Sequence, residues 1–261
     1  MIEVRHVSLS YGNVPALKDV SLTVKAGEFV AIMGPGASGK STLAKVMDGL
    51  LLPDSGECVV DGVSTRDDRM RARRLVGLVL QEPEDQAVAR RVEDDLAFGP
   101  RNIGAEDVKE RVAEALRQTG IEGLEGKDVG SLSGGQKQLV AIAGILAMRP
   151  AYLVMDEPTS LLDSDGKRMV MSTIMAQKRE GKGIVVITQD PSVAVYADRV
   201  VVMSEGSIVA QGVPADVFTP AIGEIVGLPE MARLSIRLRE KGFTTDRPWL
   251  TVDEAARELC R

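Results

Sequence analysis

Residues 34–41 are the stretch of this sequence whose types and spacing most clearly specify chemistry. They read GPGASGKS, which matches the pattern G-x-x-x-x-G-K-[ST], and they stand between an apolar run, EFVAIM, and a helix-like segment, TLAKVMDGLL. In such a strand–loop–helix unit, the N–H groups of the loop and the positive end of the helix bind phosphate oxygens. We therefore expect Lys40 to reach the β- and γ-phosphates of a nucleotide, and the Ser41 hydroxyl to bind Mg²⁺.

Two carboxylates, Asp156 and Glu157, directly follow a second apolar run, YLVM, at residues 152–155. A buried strand that ends in two carboxylates is costly unless they meet a cation or a polarised water. Asp156 therefore fits an outer-sphere partner of Mg²⁺, and Glu157 fits the base that positions water for attack on the γ-phosphate. Taken alone, the pair could form only a turn, but the Lys40 loop favours the catalytic interpretation.

A third motif, SGGQ at residues 133–136, opens a predicted helix with an apolar stripe at 139, 142, 143 and 146. Ser133 is a good N-cap, which gives the motif a purely structural interpretation. Two glycines in the first turn cost helix stability, however, so close approach to another group is the better reason for them. The positive helix end suits a second phosphate. Since the Lys40 loop already holds one nucleotide, we expect this site to serve a nucleotide held by another subunit.

A polar group ends the apolar run IVVI at 184–187, where the chain continues with Thr188, Gln189 and Asp190. The run is typical of a buried parallel strand, and ligands of open α/β sheets sit where such strands end. We therefore expect this strand to lie beside the one that ends in Asp156, with Gln189 aimed at the γ-phosphate. The only histidine, His6, lies far away in sequence and is expected to be an ordinary surface or core residue.

The elements that must position these motifs follow an α/β pattern. Short strand-like runs occupy residues 1–33, the pattern is helical from about 90 to 149, and strand–helix alternation resumes at residue 152. The later apolar runs, separated by helical segments, predict a parallel sheet. Within the helical region, residues 105–120 predict a helix that is ended by Gly120.

Composition excludes several classes of function. The net charge of -6, the pI near 5.1 and the aromatic content of 3% argue against nucleic-acid binding. Cys58 and Cys260 make no disulfide framework, which favours a reducing cytosol. No apolar run approaches ~18 residues, so we expect a chain that is neither secreted nor membrane-spanning. The basic run at 67–74, DDRMRARR, fits a solvated helix face or, alternatively, a site for an acidic partner.

Together, LSGGQ at 132–136, the Lys40 loop and the carboxylates Asp156 and Glu157 resemble the ATP-binding cassette ATPases, the motor subunits of ABC transporters. The resemblance covers residues 2–212 and rests on motifs whose order is specific. It implies an α/β fold: a P-loop NTPase with a RecA-like parallel-sheet core, an N-terminal antiparallel β-subdomain and a helical subdomain at about 90–149, all within residues 1–212. Residues 213–261 would form a small C-terminal helical appendage.

The resemblance also implies how ATP and Mg²⁺ are held. Two subunits would face each other head to tail, so that each ATP lies between the phosphate loop of one chain and LSGGQ of the other. Asp163 would lie in a loop that crosses this interface, and Tyr11 would stack on adenine unless it is an ordinary strand-end tyrosine. The implied Mg²⁺ partners are Ser41, Gln81 and Asp156. The implied contacts are Tyr11, Gly34, Pro35, Gly36, Ala37, Ser38, Gly39, Lys40, Ser41 and Thr42 to the chain's own ATP, and Ser133, Gly134, Gly135 and Gln136 to the partner's ATP.

The segments at 78–104 and 132–150 and the C-terminal tail are similar to the energy-coupling factor (ECF) group of these ATPases, which power vitamin and metal-ion uptake. This likeness implies a peripheral position on the cytoplasmic face of the cell membrane, a membrane coupling subunit and, indirectly, a substrate-binding membrane protein. The stretch at about 81–98 would line the groove for the coupling subunit. Residues 213–261 would be a packed appendage or, equally, a contact between two ATPases. Ribosome-associated and DNA-repair cassettes fit less well, because this chain is a single acidic cassette without sustained heptads at 42–131.

Three residues depart from the family pattern. Gln189 stands where the family has a histidine that contacts the γ-phosphate and the catalytic carboxylate; an amide still donates a hydrogen bond but cannot shuttle a proton. Ala37 replaces a glycine, and an alanine is expected to keep φ negative. Leu139 replaces an arginine and is expected to remove a charge near the interface.

These departures suggest a subunit specialised for a different partner. We expect the chain to bind ATP and to hydrolyse it slowly, with Glu157 and Gln189 as the catalytic residues. A heterodimer is favoured over a homodimer, with one strong and one weak site. The alternative function is a regulatory ATP-binding subunit with negligible turnover.

Overall fold

The computed structural model describes residues 1–242 and 247–259, and in them strands and helices alternate as the sequence predicts. The strands are β1 (Ile2–Tyr11), β2 (Val14–Val24), β3 (Phe29–Met33), β4 (Ser55–Val60), β5 (Val63–Ser64), β6 (Val76–Val79), β7 (Tyr152–Asp156), β8 (Gly183–Ile187), β9 (Arg199–Ser204) and β10 (Ser207–Gly212). The helices are α1 (Lys40–Met47), α2 (Arg69–Leu75), α3 (Pro83–Gln86), α4 (Val92–Asn102), α5 (Val108–Thr119), α6 (Gly134–Leu146), α7 (Ser164–Arg179), α8 (Pro191–Ala194), α9 (Pro214–Val217), α10 (Pro220–Val226), α11 (Glu230–Glu240) and α12 (Val252–Leu259).

The centre of the molecule is a six-stranded sheet with the order β10-β9-β3-β8-β7-β6. Five of these strands are parallel, and β10 joins the edge antiparallel to β9. β3, β7 and β8 are buried along their whole length, because helices cover one face and a second sheet with α1 covers the other. The predicted parallel core is confirmed, and the carboxyl ends of β3, β7 and β8 meet at one edge.

A smaller antiparallel sheet with the order β2-β1-β4-β5 forms the N-terminal part of the fold. Its buried face shares a hydrophobic core with α1 and with one face of the central sheet. Cys58 lies in β4 as a buried free thiol, while Cys260 lies outside the described residues. His6 lies in β1, is exposed, and its Nδ1 is 2.8 Å from Oδ1 of Asp19.

The helical region packs on the opposite face of the central sheet. α5 ends as predicted at Gly120, which has a φ of 68°. The prediction for Leu139 was wrong: this side chain has no exposed surface and lies in the core between α6 and the helices around it. The stripe at 139, 142, 143 and 146 faces inward at helical spacing, so an apolar residue here fills the core and removes no charge from a surface.

The tail after β10 packs against the same core through residues of α9 and α10. α12 begins with a capping box: Glu254 N–H donates to Thr251 Oγ1 at 3.3 Å, and Thr251 N–H donates to Glu254 Oε2 at 3.3 Å. Trp249 is buried, and its Nε1 donates to Glu258 at 2.7 Å. The boundary at residue 212 and a role of the tail in dimerisation stay predictions.

The basic run at 67–74 forms most of α2, and two of its arginines, Arg69 and Arg73, have acceptors inside the chain. Arg69 donates to the carbonyls of Gly49 and Leu50, and Arg73 pairs with Asp48 at 3.4 Å. These carbonyls follow the end of α1, so the arginines stabilise the turn where that helix stops. Among the described residues, no helix combines the length and the hydropathy needed to cross a membrane.

Asp48, at the end of α1, is a buried carboxylate close to this turn. It is 4% exposed, and its Oδ2 accepts no hydrogen bond from the described residues. Burial raises the pKa of Asp48 to about 7, and the nearby charges of Arg73 and Arg69 offset only part of that effect. The carboxyl therefore titrates close to neutral pH.

This shift makes stability depend on pH in a defined direction. The fold binds the Asp48 proton more tightly than the unfolded chain, where the ordinary value is 3.8, so stability falls as pH rises from 3.8 to about 7. We expect the Tm of Asp48→Asn to exceed that of wild type by at least about 3 °C at pH 8, and this gap to shrink towards zero near pH ~4. Thermal unfolding across this range measures it. Asp67→Asn, at an exposed position, is the control, and a gap that does not change with pH would contradict the assignment.

Candidate functional site

The loop between β3 and α1 is shaped by two glycines that no other residue could replace. Gly34 has a φ of 153° and Gly39 a φ of 98°, and a Cβ at either would collide with a backbone carbonyl oxygen, that of Met203 or that of Ala16. α1 begins directly after Gly39, and no side chain caps its N-terminus. The N–H groups of its first turn are therefore free to bind phosphate oxygens.

Lys40 points back into this loop. Its side chain is almost buried, and Nζ donates to the carbonyls of Gly34 at 2.9 Å and Pro35 at 2.7 Å, and to Ser38 Oγ at 3.3 Å. Burial lowers the pKa of the ammonium, while the negative charges of Glu157 and Asp156 act in the opposite direction. The cation is thus held at the mouth of the loop, where phosphate oxygens can replace its carbonyl partners.

The prediction that Ala37 keeps a negative φ was wrong, since its φ is 60°. The loop curls back on itself at this position: Ser38 N–H donates to the Pro35 carbonyl at 3.3 Å, and Gly206 N–H donates to the Ser38 carbonyl at 3.2 Å. A left-handed residue is needed to make this bend, and the surrounding contacts hold an alanine in it. The cost for a residue with a Cβ is about 1–2 kcal/mol.

The two predicted carboxylates lie at the end of β7, and each residue is 8% exposed. Burial raises the pKa of Glu157, the charge of Asp156 raises it further, and hydrogen bonds from Gln189 and the charge of Lys40 oppose this. Oε1 of Glu157 has no hydrogen-bond partner among the described residues. A carboxylate with a raised pKa and a free oxygen is a competent base for an attacking water.

Gln189 lies next to Glu157 because β7 and β8 are parallel neighbours in which Asp156 pairs with Ile187. The side chain and the backbone of Gln189 both act to lower the pKa of the Glu157 carboxyl, against the effect of burial. In addition, Glu157 N–H donates to the Ile187 carbonyl at 2.9 Å. The structure thus brings Gln189 to Glu157 as the sequence predicts, while its catalytic role stays a prediction.

Two further predicted residues line clefts at this edge. Tyr11 is 51% exposed and lines a cleft of about 260 Å³ together with Lys40, Ser41 and Thr42; its hydroxyl is 3.5 Å from Thr42 Oγ1. Gln81 follows β6 and lines a second cleft of about 320 Å³ with Glu157 and Gly134. The aromatic ring thus borders the phosphate loop, and Gln81 borders the carboxylates.

The SGGQ motif opens α6 with a complete capping box. Ser133 N–H donates to Gln136 Oε1 at 3.1 Å, and Gln136 N–H donates to Ser133 Oγ at 3.4 Å, so the structural interpretation of Ser133 is correct. Gly135 also meets a close neighbour, because a Cβ on it would be 3.3 Å from Cα of Gly166 in α7. The motif borders the cleft of Glu157 and not the cleft of the phosphate loop.

Asp163 is the N-cap of α7, and its Oδ1 accepts a hydrogen bond from Gly166 N–H at 2.8 Å. Its predicted place at an interface is not tested within one chain. Sequence reasoning missed Lys137, which follows the SGGQ motif and pairs with Glu84 of α3. The two residues are 53 positions apart, so no local pattern relates them.

The predicted Mg²⁺ partners fit that ion. No cluster of three or more His, Cys, Asp or Glu side chains occurs in the described residues, so a metal held by protein carboxylates alone is not indicated. Mg²⁺ commonly binds through one or two protein ligands together with waters and substrate phosphates. A hydroxyl at Ser41, an amide at Gln81 and a buried carboxylate at Asp156 match that mode.

Comparison with known proteins identifies the group to which these motifs belong. The family model described as ABC transporter matches residues 17–160. This chain belongs to the ABC transporter family. It is 46% identical over 254 residues to the energy-coupling factor transporter ATP-binding protein EcfA1 of Symbiobacterium thermophilum, which covers 94% of this chain and 88% of that protein. It is 40% identical over 271 residues to EcfA of Methanothermobacter thermautotrophicus, which covers 99% of this chain and 86% of that protein.

Solved structures of ABC cassettes share its fold. The cbiO1 protein of Clostridium perfringens, part of the ABC transporter complex cbiONQ, has a TM-score of 0.78 and 35% identity, covering 92% of this chain and 96% of that one. The cassette MJ0796, in a dimeric post-hydrolysis state bound to ADP and Pi, has a TM-score of 0.74 and 32% identity, covering 82% of this chain and 99% of that one. The predicted cassette fold and ECF group are confirmed, and this ABC protein is an ATPase subunit of that transporter class.

The strained alanine of the phosphate loop gives a test of the loop geometry. Ala37→Gly relieves the left-handed strain, and we expect it to raise the free energy of unfolding by about 0.5–1 kcal/mol after the greater entropy of the unfolded glycine is counted. Chemical denaturation measures this change. Gly36→Ala is the matched control, because Gly36 has no heavy atom within 4 Å of a Cβ position and no left-handed φ; only the lower entropy of the unfolded chain acts there, and we expect the free energy of unfolding to rise by about 0.4–1 kcal/mol. Destabilisation by Ala37→Gly would be the opposite of this expectation.

Proposed function

We propose that this ABC subunit hydrolyses MgATP at a site that it completes with a second cassette, and that this drives a membrane partner. The observation that carries the proposal is the edge where β3, β7 and β8 end. The Lys40 loop, both carboxylates and Gln189 meet there, whereas the SGGQ motif borders the cleft of Gln81 and Glu157 and not the cleft of the Lys40 loop. A chain that holds both halves of a phosphate site in separate places needs a partner to join them.

The chemistry follows from the groups at this edge. The loop N–H groups and Lys40 bind the β- and γ-phosphates, and the ring of Tyr11 covers the base. Ser41, Gln81 and Asp156 hold Mg²⁺, which neutralises charge on the phosphates when it is bound. Glu157 accepts a proton from the water that attacks the γ-phosphate, and the hydrogen bonds between Gln189 and Glu157 orient that carboxylate.

Gln189 limits the rate of this step. Its amide can donate one hydrogen bond to the γ-phosphate, but it carries no positive charge and moves no proton. Loss of one transition-state donor typically costs ~10²–10³ in rate, and an amide recovers part of that. We therefore propose weak hydrolysis with ordinary ATP binding. Glu157, with its raised pKa, favours a slow enzyme over a purely regulatory ATP-binding subunit.

Substitutions at Glu157 and Gln189 distinguish an ATP-hydrolysing transport subunit from a regulatory subunit that only binds ATP. In the purified complex with a partner cassette whose own ATP site has been inactivated, so that only this chain's site is measured, we expect Glu157→Gln to lower kcat by ~10² or more with ATP binding retained. We expect Gln189→His to raise kcat and to add a pH-dependent limb near pH ~6.5 that wild type lacks. Steady-state ATPase assays and nucleotide titrations measure both effects.

The control for these substitutions is Glu122→Gln, at an exposed position in the helical region. An unchanged kcat in Glu157→Gln, with normal ATP binding, would show that this site does not turn over, and the regulatory function would replace the enzymatic one.

The second cassette would contribute its own SGGQ motif to ATP bound here. Within this chain, Gly135 of the motif lies against Gly166, one turn from Asp163, so the two predicted interface segments form one continuous surface. This supports a head-to-tail dimer that buries both segments together. The dimeric state of MJ0796 gives a precedent in a cassette of the same fold. A relative rather than a second copy is the favoured partner, because Gln189 suits a weak site opposite a strong one.

The membrane partner would dock in a groove beside α2. This groove has a volume of about 360 Å³, and its apolar lining includes Met70, Leu80, Ile103, Ile145 and Met148. Gln86 also lines it, and accepts a hydrogen bond from Leu80 N–H at 3.0 Å, one residue before Gln81. Movement of a helix in the groove would therefore act directly on the Gln81 segment. The proposed position is the cytoplasmic face of the membrane, as a peripheral subunit in an assembly like cbiONQ with a further substrate-binding membrane protein.

Charge placed in this groove tests the docking site. We expect Met70→Glu and Ile103→Glu to abolish co-purification with a membrane protein while ATP binding is unchanged, because a buried unpaired charge costs several kcal/mol. Val209→Glu, on exposed β10, is the control. Phe98→Glu tests the alternative that the groove is centred on residues 81–98; loss of the membrane protein only in Phe98→Glu would move the docking site there.

A further inference from the structure

The segment that carries Gln189 is tied to the helix that begins at Asp163. Lys167 Nζ of α7 donates to Asp190 Oδ2 at 3.1 Å, and Asp190 immediately follows Gln189. The two side chains are 39% and 32% exposed, so the pair is partly shielded from solvent. It is the kind of ion pair that can hold a loop in one position, unlike a fully exposed pair.

Asp190 is fixed from three sides. Its Oδ1 accepts hydrogen bonds from Ser192 N–H at 2.9 Å and from Ser192 Oγ at 2.6 Å, and its own N–H donates to Thr188 Oγ1 at 3.0 Å. Burial would raise the pKa of Asp190, but the hydrogen bonds from Ser192 and Lys167 hold it below its ordinary range. The carboxylate is therefore ionised at neutral pH, and it keeps its bond to Lys167.

The other end of the link is just as well defined. Lys167 lies four residues after Asp163, which puts both on one face of α7, and its N–H donates to the Asp163 carbonyl at 2.9 Å. Asp163 itself caps the helix through Gly166. A shift of this end of α7 therefore moves Lys167, and Lys167 pulls on the residue next to Gln189.

We propose that the Lys167–Asp190 ion pair is a positioning link, which holds Gln189 against the Glu157 carboxylate and ties it to the start of α7. This inference rests on the proposed catalytic role of Gln189. In this proposal Lys167 touches no reacting atom and acts only through Asp190. Without the pair, Gln189 keeps its place in the chain but loses the restraint that keeps its amide on Glu157, while the Lys40 loop is untouched.

The chain contains a matched control on the same helix. Lys178, near the end of α7, bonds Asp198 Oδ1 at 2.6 Å, which ties α7 to the segment before β9. This pair joins the same helix to the same sheet but is remote from Gln189. Loss of either pair should cost similar stability, so an effect on turnover that is specific to Lys167 would separate positioning from packing.

The experiment is a double-mutant cycle in the complex with a partner cassette whose own ATP site is inactivated, so that kcat reports this chain's site alone. Lys167→Met is expected to lower kcat by about 5–10-fold with KM for ATP unchanged, and Lys167→Arg to restore most of the rate. Lys178→Met should change kcat by less than about 2-fold at a similar Tm. In a Gln189→Ala background, Lys167→Met should lower kcat by less than about 2-fold further, because the residue it positions is gone.

The outcomes are distinct. If Gln189→Ala lowers kcat but Lys167→Met does not, or if the two losses simply multiply, the link is wrong and the role of Gln189 stands. If Gln189→Ala leaves kcat unchanged, the proposed role of Gln189 fails, and a link acting through it fails too. Equal effects of Lys167→Met and Lys178→Met would assign the pair to helix packing alone.

Discussion

The balance between one buried ammonium and two buried carboxylates is the constraint on which the rest of the site depends. Lys40, at 6% exposure, is the positive member, and Asp156 and Glu157, at 8% each, are the negative ones. Burial works against every one of these charges: it lowers the pKa of Lys40 and raises that of Glu157. With all three side chains ionised, the net charge of Lys40, Asp156 and Glu157 together is -1. A bare triphosphate would add more negative charge, so the site is suited to a nucleotide that arrives with its Mg²⁺.

The same balance explains what a glutamine does at position 189. A histidine there would be able to take a proton and so offset one of the two carboxylates. A neutral amide adds no charge to the site of Lys40, Asp156 and Glu157 at any pH. It stabilises the ionised Glu157 only through hydrogen bonds. Burial and the charge of Asp156 raise the pKa of Glu157, and Gln189 and the charge of Lys40 offset part of that effect. In the proposed mechanism, Gln189 would preserve the base and give up the proton shuttle, which would link slow hydrolysis to a single side chain.

The inner strands and the loop could be predicted because each has a strong local cause. β3, β7 and β8 are buried on both faces, so they appear in the sequence as uninterrupted apolar runs, and parallel strands must end at one edge. Ala37 could not be predicted, because its left-handed φ comes from loop contacts that overrule the preference of the residue type. Leu139 was misjudged for a related reason: the family pattern gives the usual residue at a position, but not the direction in which its side chain points.

Ion pairs between distant segments, unlike the pairing of the buried strands, could not be predicted from the sequence. The pairs Lys137–Glu84 and Lys167–Asp190 join residues 53 and 23 positions apart, and neither leaves a periodic pattern. Yet these contacts connect the Gln189 segment to α7, α6 and α3, and so determine which parts of the chain can act on the site. α6 is bound to α3 by the first pair, it lies against α7 where Gly135 meets Gly166, and α7 reaches the Gln189 segment by the second pair.

This series of contacts runs in one direction through the chain. It begins at the groove beside α2, which shares Gln86 with α3, passes through the surface that would face a second cassette, and ends at Glu157, the proposed catalytic base. In a head-to-tail dimer, the start of α6, where it lies against α7, would contact ATP bound by the other subunit. Each chain would then sense its neighbour's nucleotide through α6 and α7 before Gln189 is fixed on Glu157. A weak site built in this way would still be useful to the dimer. Its closure would depend on bound ATP even when its own hydrolysis is slow.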